Sequence, residues 1–330
     1  MLSFNDIIGQ EGVKAHLLGA LNENKISHAY ILSGEEGSGK MMLAERFAAA
    51  LQCDGGPQRP CGCCINCMQS ETRNHPDIIY VTHEKKSIVV DDIRNQLVND
   101  ITIKPYSGQY KVYIIDEAEK MNEAAQNALL KTLEEPPEYA VIMLLAANTG
   151  AFLQTILSRC VTLELKPIEN SLIEKYLMER QQLPDYIARL CASFSCGCIG
   201  KAIRYASDES FGKTRDRVLS LVRNVRRMKQ SEISEAVAEL GDKENKAAID
   251  DAFELMLLWY RDVLVYKATH NKNRIIFSEE LSSISEDAEE RSYENLNAVI
   301  NTIDRTRERL GYNVSFETSM QLLINTMQKK

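Results

Sequence analysis

The chain has no long apolar run. Its longest uninterrupted hydrophobic stretch covers residues 140–147, well short of the roughly 20 apolar residues that a membrane-spanning helix needs. The amino terminus also lacks a basic segment followed by an apolar one, which is the pattern of a secretory signal peptide. We therefore expect a cytoplasmic location and no membrane partner.

An excess of positive charge is missing as well. Lysine and arginine number 39 against 47 aspartates and glutamates, so the formal net charge is −8 at pH 7. No global field attracts such a chain to nucleic acid, and any DNA contact has to be local or made inside an assembly. Hydrophobic residues make up 44% and charged residues 26% of the 330 positions, which is typical of a globular protein of two or three domains.

Strand and helix signals alternate in the first half of the chain. The apolar run Ala29 to Ser33 leads into a glycine-rich loop, and a helix with apolar residues at helical spacing follows from Lys40 to Cys53. Two further apolar runs, 111–115 and 140–147, fit buried strands, and two prolines stop the helix between them, which runs from about Asn122 to Glu135. This alternation predicts an α/β fold whose parallel sheet is covered on both faces.

Strand signals fade after a last apolar segment that ends at Pro167. We place a domain boundary there, so that the α/β domain covers 1–167, a small helical domain 168–208 and an all-α bundle 209–330. The apolar positions at amphipathic helical spacing in that bundle include Leu296, Val299, Ile300, Ile303 and Leu310.

A phosphate-binding loop joins the first strand to its helix, with one departure from the pattern. The loop reads Gly34-Glu35-Glu36-Gly37-Ser38-Gly39-Lys40-Met41. In such loops backbone N–H groups surround phosphate oxygens, the lysine meets the terminal phosphates, and a final Ser or Thr hydroxyl binds Mg²⁺. Met41 replaces that hydroxyl with a soft thioether, which Mg²⁺ does not favour. We expect the loop to hold phosphate, with binding of ATP and Mg²⁺ weak or absent.

Two carboxylates follow the strand at 111–115. Strands often end this way for structural reasons alone, but in a nucleoside triphosphatase Asp116 would lie beside Mg²⁺ and Glu117 would polarise the attacking water. Because a phosphate loop precedes them, we assign both residues to the nucleotide site and expect them to be vestigial in catalysis.

Five of the nine cysteines crowd between Cys53 and Cys67. Cys61, Cys64 and Cys67 recur every third residue, and together with Cys53 they supply four thiolates for a tetrahedral, structural zinc site. Cys63 is then left over. An iron–sulfur cluster and a group of free thiols are the alternatives. The remaining cysteines are interpreted as buried small hydrophobic residues: Cys160, Cys191, Cys196 and Cys198.

Arg159 closes the α/β domain just before its last strand. At this edge a guanidinium can reach a neighbouring subunit's nucleotide, where an arginine donated in trans accelerates phosphoryl transfer; the alternative is a surface ion pair. His28 and His75 are interpreted as structural. A basic stretch over 213–229 is taken as a solvated helix face, with contact to DNA or an acidic partner as the alternative.

The order of these motifs resembles the clamp-loader branch of the AAA+ ATPases. The motifs are HAYILSGEEGSGK, the four-cysteine insert, NHPD, DDIRNQL, KVYIIDEAEKMNEAAQNALLKTLEEPP, ILSRC and GCIGKAIR. Bacterial DNA polymerase III subunits are the nearer relatives and replication factor C small subunits the more distant ones. The resemblance is strong to about residue 205 and weak beyond it.

Three departures favour the delta-prime type of subunit over the gamma/tau motor type. Met41 replaces the magnesium ligand, and Gly200 stands three residues after Gly197, where the motor subunits carry an arginine that touches the γ-phosphate. The chain also ends at Lys330 without the tail that tau uses to reach polymerase and helicase.

The resemblance implies a role for each part of the chain. The helical domains become a lid and an oligomerisation collar, the zinc ligands are Cys53, Cys61, Cys64 and Cys67, and Arg159 becomes an arginine finger for an adjacent gamma/tau subunit. The implied partners are gamma/tau and delta in a hetero-pentamer, the sliding clamp and primed DNA. An active gamma/tau-like ATPase and a stand-alone zinc-stabilised DNA-binding module are the alternatives.

Overall fold

The computed structural model describes residues 3–56, 59–83, 87–241, 246–311 and 315–329. Its strands are β1 (Ala29–Ser33), β2 (Ile78–Val81), β3 (Lys111–Ile115), β4 (Ala140–Ala146) and β5 (Val161–Glu164). Its first nine helices are α1 (Glu11–Asn22), α2 (Lys40–Gln52), α3 (Ile65–Glu71), α4 (Val90–Ile93), α5 (Glu123–Glu134), α6 (Gln154–Leu157), α7 (Asn170–Gln181), α8 (Asp185–Phe194) and α9 (Ile199–Ser207). Helices α10 (Glu209–Asn224), α11 (Gln230–Leu240), α12 (Lys246–Thr269), α13 (Leu281–Glu290), α14 (Tyr293–Gly311) and α15 (Phe316–Gln328) follow. Among the helices that the structure describes, none is both long and apolar enough to cross a bilayer.

The five strands form one parallel sheet in the order β2-β3-β4-β1-β5. In β1, Ile31 lies opposite Leu144 of β4 on one side and Thr162 of β5 on the other. Every residue of β1, β3 and β4 is buried, as expected where helices cover both faces of a parallel sheet. The predicted α/β fold is confirmed.

Successive strand residues serve two separate apolar cores. Ile31 points to one face of the sheet, where the core includes Leu129 of α5. The next residue, Leu32, belongs to the core on the other face, which includes Phe47 of α2. Side chains of a strand alternate between faces in this way, and the result is a rigid sheet whose loops carry the candidate site.

The helix predicted between β3 and β4 has the expected ends. Asn122 precedes the first residue of α5. Its side-chain oxygen accepts a hydrogen bond from the backbone N–H of Ala125 at 2.9 Å, as expected of an N-cap residue. The helix ends at Glu134, and Pro136 and Pro137 follow after one residue. The predicted helix is therefore correct to within one residue at each end.

The described contacts divide the chain into two compact units. The first contains Met1–Ile173 and Gly197–Lys201, and the second contains Glu174–Cys196 and Ala202–Lys330. The apolar core of the second unit is built mainly from helices and includes Trp259, which is fully buried, with Leu296 and Val299 of α14. The predicted division of the helical part at residue 208 stays a prediction.

Candidate phosphate-binding and metal sites

The glycine loop lies between the end of β1 and the start of α2. Gly37 and Gly39 have φ values of 80° and 97°, a backbone conformation that side chains strongly disfavour. Helix α2 begins directly at Lys40. The strand, loop and helix that a phosphate site requires are thus present in the order that the sequence predicts.

Lys40 is turned toward the carbonyl groups of its own loop. Its Nζ donates hydrogen bonds to the backbone oxygens of Gly34 at 2.5 Å and Glu35 at 2.9 Å. Burial lowers the pKa of Lys40, while the nearby carboxylates of Asp116 and Glu119 act in the opposite direction. The Asp116 and Glu119 carboxylates are therefore close enough to Lys40 to act on its charge.

Met41 and Ser38 complete the loop in different ways. Met41 is partly buried and packs against the apolar core that contains Phe47, so its side chain serves the core. The hydroxyl oxygen of Ser38 is buried and has no hydrogen-bond partner among the described residues. A neighbouring hydroxyl is therefore present in the loop, but it is not at the position that follows the lysine.

Glu117 is engaged by neighbouring cations. Its carboxylate lies 2.6 Å from Nζ of Lys120 and 3.6 Å from Nε2 of His83, and the hydrogen bond from Lys120 is the main reason that its pKa is lowered. The backbone N–H of Glu117 donates to Asp116 Oδ1 at 2.9 Å. A carboxylate held in this way is poorly placed to polarise a water molecule.

A segment that the sequence analysis did not assign to the loop packs directly on it. The backbone N–H of Gly200 donates to the carbonyl of Gly37 at 2.9 Å, and Nζ of Lys201 lies 2.9 Å from the Glu35 carboxylate. Cys198 places its Sγ 3.6 Å from the same carboxylate. The Lys201 ammonium lowers the pKa of Glu35. The two glycines of GCIGKAIR indicate that another backbone can approach this segment closely, but they do not indicate that the partner is the glycine loop.

The four predicted cysteines come together. The Sγ atoms of Cys53, Cys61, Cys64 and Cys67 all lie within 4.8 Å of one another, and Cys61 and Cys67 are 3.9 Å apart. Sulfurs in a tetrahedral zinc site, each about 2.3 Å from the metal, are roughly 3.8 Å apart. This donor set fits a four-coordinate metal ion.

Backbone N–H groups point at the same sulfurs. Cys53 Sγ accepts from the N–H groups of Gly55 and Cys61, both at 3.3 Å, and Cys64 Sγ accepts from Cys67 at 3.4 Å. N–H groups from Cys63 and Cys64 lower the pKa of the Cys61 thiol to about 6, whereas burial raises the pKa of Cys67. The cluster thus favours the thiolate form of Cys61, whereas a cation is needed to favour the thiolate form of the buried Cys67.

Arg159 lies in a defined position at the edge of the first unit. Its Nη2 is 2.8 Å from the carboxylate of Glu134 at the end of α5, and its Nη1 donates to the carbonyl of Thr155 at 2.9 Å and to Oγ of Ser158 at 3.2 Å. The side chain remains 34% exposed. The surface ion pair considered from the sequence is therefore present, and the guanidinium is also accessible.

The histidine and the basic stretch singled out in the sequence make contacts that fit structural roles. His75 is buried, and its Nδ1 accepts a hydrogen bond from the N–H of Asp77 at 3.1 Å. In the basic stretch, Arg223 and Arg227 pair with Glu280 at 3.5 Å and Glu286 at 2.6 Å. These pairs agree with a solvated helix face.

One interpretation of the remaining cysteines was wrong. Cys191 and Cys198 are buried as expected, and Cys160 is partly buried, but Cys196 is exposed. Its backbone has a φ of 51°, because the chain turns through the left-handed region just after α8 ends, and this turn directs the residue to the surface.

The sequence comparisons with known proteins find subunits of DNA polymerase III. A family model described as DNA polymerase III, delta subunit, matches residues 9–169. The chain is 29% identical over 325 residues to DNA polymerase III subunit delta' of Bacillus subtilis, and the aligned region covers 97% of this chain and 96% of that protein. It is 39% identical over 176 residues to the tau/gamma subunit of Haemophilus influenzae, and this alignment covers 53% of this chain and 25% of that protein. A solved structure of a gamma subunit-related protein from Thermotoga maritima covers 97% of this chain and 98% of its own, with 18% identity and a TM-score of 0.43.

The chain thus spans almost the full length of its delta' relative and about a quarter of the tau/gamma relative. The matched region contains the glycine loop, the two carboxylates, the cysteine cluster and Arg159. Over almost its full length the chain is thus similar to a delta' subunit of bacterial DNA polymerase III, and over about half its length to a tau/gamma subunit.

Proposed function

We propose that this chain is the delta-prime-type subunit of a bacterial clamp loader, where it acts as a stator and donates Arg159 to the active site of a neighbouring gamma/tau subunit. One observation carries the proposal: Arg159 is accessible and fixed by Glu134, while the chain's own loop has Met41 at the magnesium position. The clamp loader would place the sliding clamp on primed DNA during replication, and this chain would supply one half of a composite ATP site.

The chain's own site supports the stator assignment. Mg²⁺ in such sites is held by a loop hydroxyl directly after the lysine and by a strand-end carboxylate. Here Met41 follows Lys40, so of these two ligands only the carboxylate, Asp116, is at its expected position. Glu117 is paired with Lys120, which removes the obvious residue for positioning water. We infer that the loop binds phosphate without sustained turnover.

The cysteine cluster would hold a structural Zn²⁺. Cys53 is at the end of α2 and Cys67 is within α3, so the metal would join these two helices. With Cys61 and Cys64 as the other ligands, no coordination position remains for a substrate. The metal would stabilise the module and take no part in phosphoryl transfer.

The partners follow from the same assignment. Gamma/tau and delta subunits would complete a hetero-pentamer in the bacterial cytoplasm, with residues 209–330 providing the collar. The net charge of −8 gives the isolated chain little attraction for DNA, so DNA would be met inside the assembly. This also counts against a stand-alone DNA-binding module.

Substitution of Arg159 tests the proposal. Complexes are reconstituted with gamma/tau, delta, the sliding clamp and primed DNA, and DNA-stimulated ATPase is compared for the wild type, Arg159→Ala and the control Arg180→Ala, which changes an exposed arginine of α7. We expect assembly to be unchanged and turnover at the affected interface to fall by about 10³-fold, the lower end of the range for an arginine finger. Undiminished ATPase with Arg159→Ala would reject the assignment.

An active motor subunit is the second candidate. Lys40 and Asp116 both remain, and the carboxylate is close enough to the lysine to act on its charge, which is the observation in its favour. Steady magnesium-dependent hydrolysis by the purified chain, abolished by Lys40→Ala, would support this candidate over the stator.

A further inference from the structure

We infer that Lys201 is a second phosphate-binding lysine of the glycine loop and that Glu35 masks it by acting as an internal anion. The inference rests on the proposed function in one respect, namely that the loop binds phosphate. The ligand class is a polyphosphate, such as a nucleoside triphosphate, bound without a metal ion. The observation behind it is the contact between the loop and residues 197–201.

Two ammonium groups converge on one residue of the loop. Nζ of Lys40 donates to the backbone carbonyl of Glu35 at 2.9 Å, and Nζ of Lys201 lies 2.9 Å from the Glu35 carboxylate. A phosphate group that enters the loop to meet Lys40 therefore arrives within reach of Lys201 as well. The Glu35 carboxylate that pairs with the second ammonium is 65% exposed, so solvent and a ligand can reach it.

The position of Lys201 is fixed by the backbone and does not depend on the ion pair. Gly200 donates its N–H to the Gly37 carbonyl at 2.9 Å, and a Cβ on Gly37 would lie 2.9 Å from the backbone nitrogen of Lys201. The two chain segments thus touch backbone to backbone, which glycine permits at both positions. When the Glu35 carboxylate moves away, the backbone of Lys201 therefore stays beside the loop and its side chain remains anchored there.

Charge makes Glu35 a competitor for the ligand. The carboxylate offers the same charge-assisted hydrogen bonds that a phosphate oxygen offers to an ammonium group. A partly exposed ion pair is weak, so a polyphosphate with several negative charges can displace it. In an ordinary loop Mg²⁺ neutralises part of the phosphate charge, but Met41 cannot help to bind Mg²⁺. Lys201 would offset part of that charge instead.

The adjacent residue Glu36 provides a matched control. It carries the same charge in the same loop, is exposed, and forms no ion pair among the described residues. Comparing Glu35→Gln with Glu36→Gln therefore separates release of Lys201 from the general effect of removing one negative charge near a phosphate. Glu35→Gln combined with Lys201→Gln tests whether the gain passes through Lys201.

The experiment is a titration of each variant, as the isolated full chain, with ATP and with inorganic triphosphate. The buffer contains neither Mg²⁺ nor a chelator, so that any metal at the cysteine cluster is retained. We expect Glu35→Gln to bind about two- to fivefold more tightly than Glu36→Gln, in keeping with the modest strength of a partly exposed pair. Lys201→Gln should bind more weakly than the wild type, and the double variant should lose the gain.

Three results would overturn the inference. These are equal affinities for Glu35→Gln and Glu36→Gln, an unchanged or improved affinity for Lys201→Gln, and the absence of binding by every variant at millimolar ligand. None of them bears on Arg159, because the stator role is tested by the ATPase of the reconstituted complex. The two accounts can therefore fail separately.

Discussion

The N–H of Gly200 donates a hydrogen bond to the carbonyl of Gly37 at 2.9 Å, and the two glycines are in backbone contact. A Cβ at Gly200 would lie 2.9 Å from both Cα and the carbonyl oxygen of Gly37. Neither atom is part of a flexible side chain, so any side chain at Gly200 must push the glycine loop away from α9. The shape of the phosphate loop thus depends on a glycine more than 160 residues along the chain.

Replacing Gly200 by alanine should loosen the loop. The added methyl group breaks the close contact and the hydrogen bond with Gly37, so we expect faster amide hydrogen exchange across residues 34–40. The comparison variant is Gly212→Ala in α10, where an added Cβ meets nothing within 4 Å. That change should stabilise the protein by about 0.5–1 kcal/mol, since alanine is the better helix former.

Hydrogen exchange measured by mass spectrometry on both variants provides the test. Unchanged protection of the loop in Gly200→Ala, with a gain in stability like that of Gly212→Ala, would show that the contact does not hold the loop.

Asp77 should stabilise the loop before β3 in a pH-dependent way. Its buried carboxylate accepts hydrogen bonds from the N–H groups of Tyr106 at 2.6 Å, Ser107 at 2.8 Å and Gly108 at 3.1 Å. Burial alone raises the pKa of Asp77, but these bonds outweigh burial and lower it. Asp77→Asn should reduce the free energy of unfolding by about 1–3 kcal/mol at pH 7, the cost of weakening hydrogen bonds to a buried, charged carboxylate.

The sign of the pH effect follows from the lowered pKa. A carboxyl group with a lowered folded-state pKa contributes stability above its unfolded-state pKa of about 3.9, and loses it as the pH falls through the folded value. The difference between wild type and Asp77→Asn should therefore stay constant from pH 7 to about pH 5 and shrink below about pH 4. Denaturant unfolding across this pH range measures the difference in stability, with Asp304→Asn, at an exposed position, as a control. A difference that grows in acid would contradict the account.

The cysteine cluster should bind one metal ion through four specific thiolates. Cys64→Ser removes a ligand from the set whose sulfurs lie within 4.8 Å of one another, so we expect metal loss and a lower melting temperature. Cys63→Ser changes an exposed cysteine outside that set and should retain the metal. Metal analysis and thermal unfolding check both variants, and equal depletion by the two substitutions would rule out the proposed ligands.

Glu134 should position the Arg159 guanidinium. The two side chains are 2.8 Å apart and 50% and 34% exposed, respectively, so the pair adds little to stability, yet it fixes the direction of the guanidinium. In the reconstituted complex, Glu134→Gln should lower kcat for ATP about two- to tenfold, since a misoriented arginine loses part of its effect on the transition state, and leave KM almost unchanged. Glu135→Gln, at the next exposed position, is the control; a fall in both variants, or in neither, would exclude a positioning role.

Features encoded by neighbouring residues could be predicted from the sequence. The strand, glycine loop and helix at residues 29–52 depend on local spacing, and so does the cysteine cluster, whose ligands from Cys53 to Cys67 are brought together by short turns. The helix α5 could be bounded in advance because Asn122 caps it and prolines follow it. In each case the signal lies within about fifteen residues of the structure that it determines.

Contacts between distant segments could not be predicted in this way. Lys201 and Glu35 are 166 residues apart, and no local pattern indicates which loop a lysine near the start of α9 will meet. The pairing of Arg159 with Glu134 depends on how α5 and α6 pack beside the sheet. Cys196 was misjudged for a related reason, because a single left-handed residue changes the direction of a side chain without altering the apolar pattern around it.

The central claim is that this chain has a phosphate loop without its magnesium anchor. Steady-state ATP hydrolysis by the purified chain alone, in saturating Mg²⁺ and beside a Lys40→Ala variant, tests it most directly. The account predicts that the wild type turns over no faster than Lys40→Ala. Sustained magnesium-dependent hydrolysis by the wild type, lost in Lys40→Ala, would contradict it.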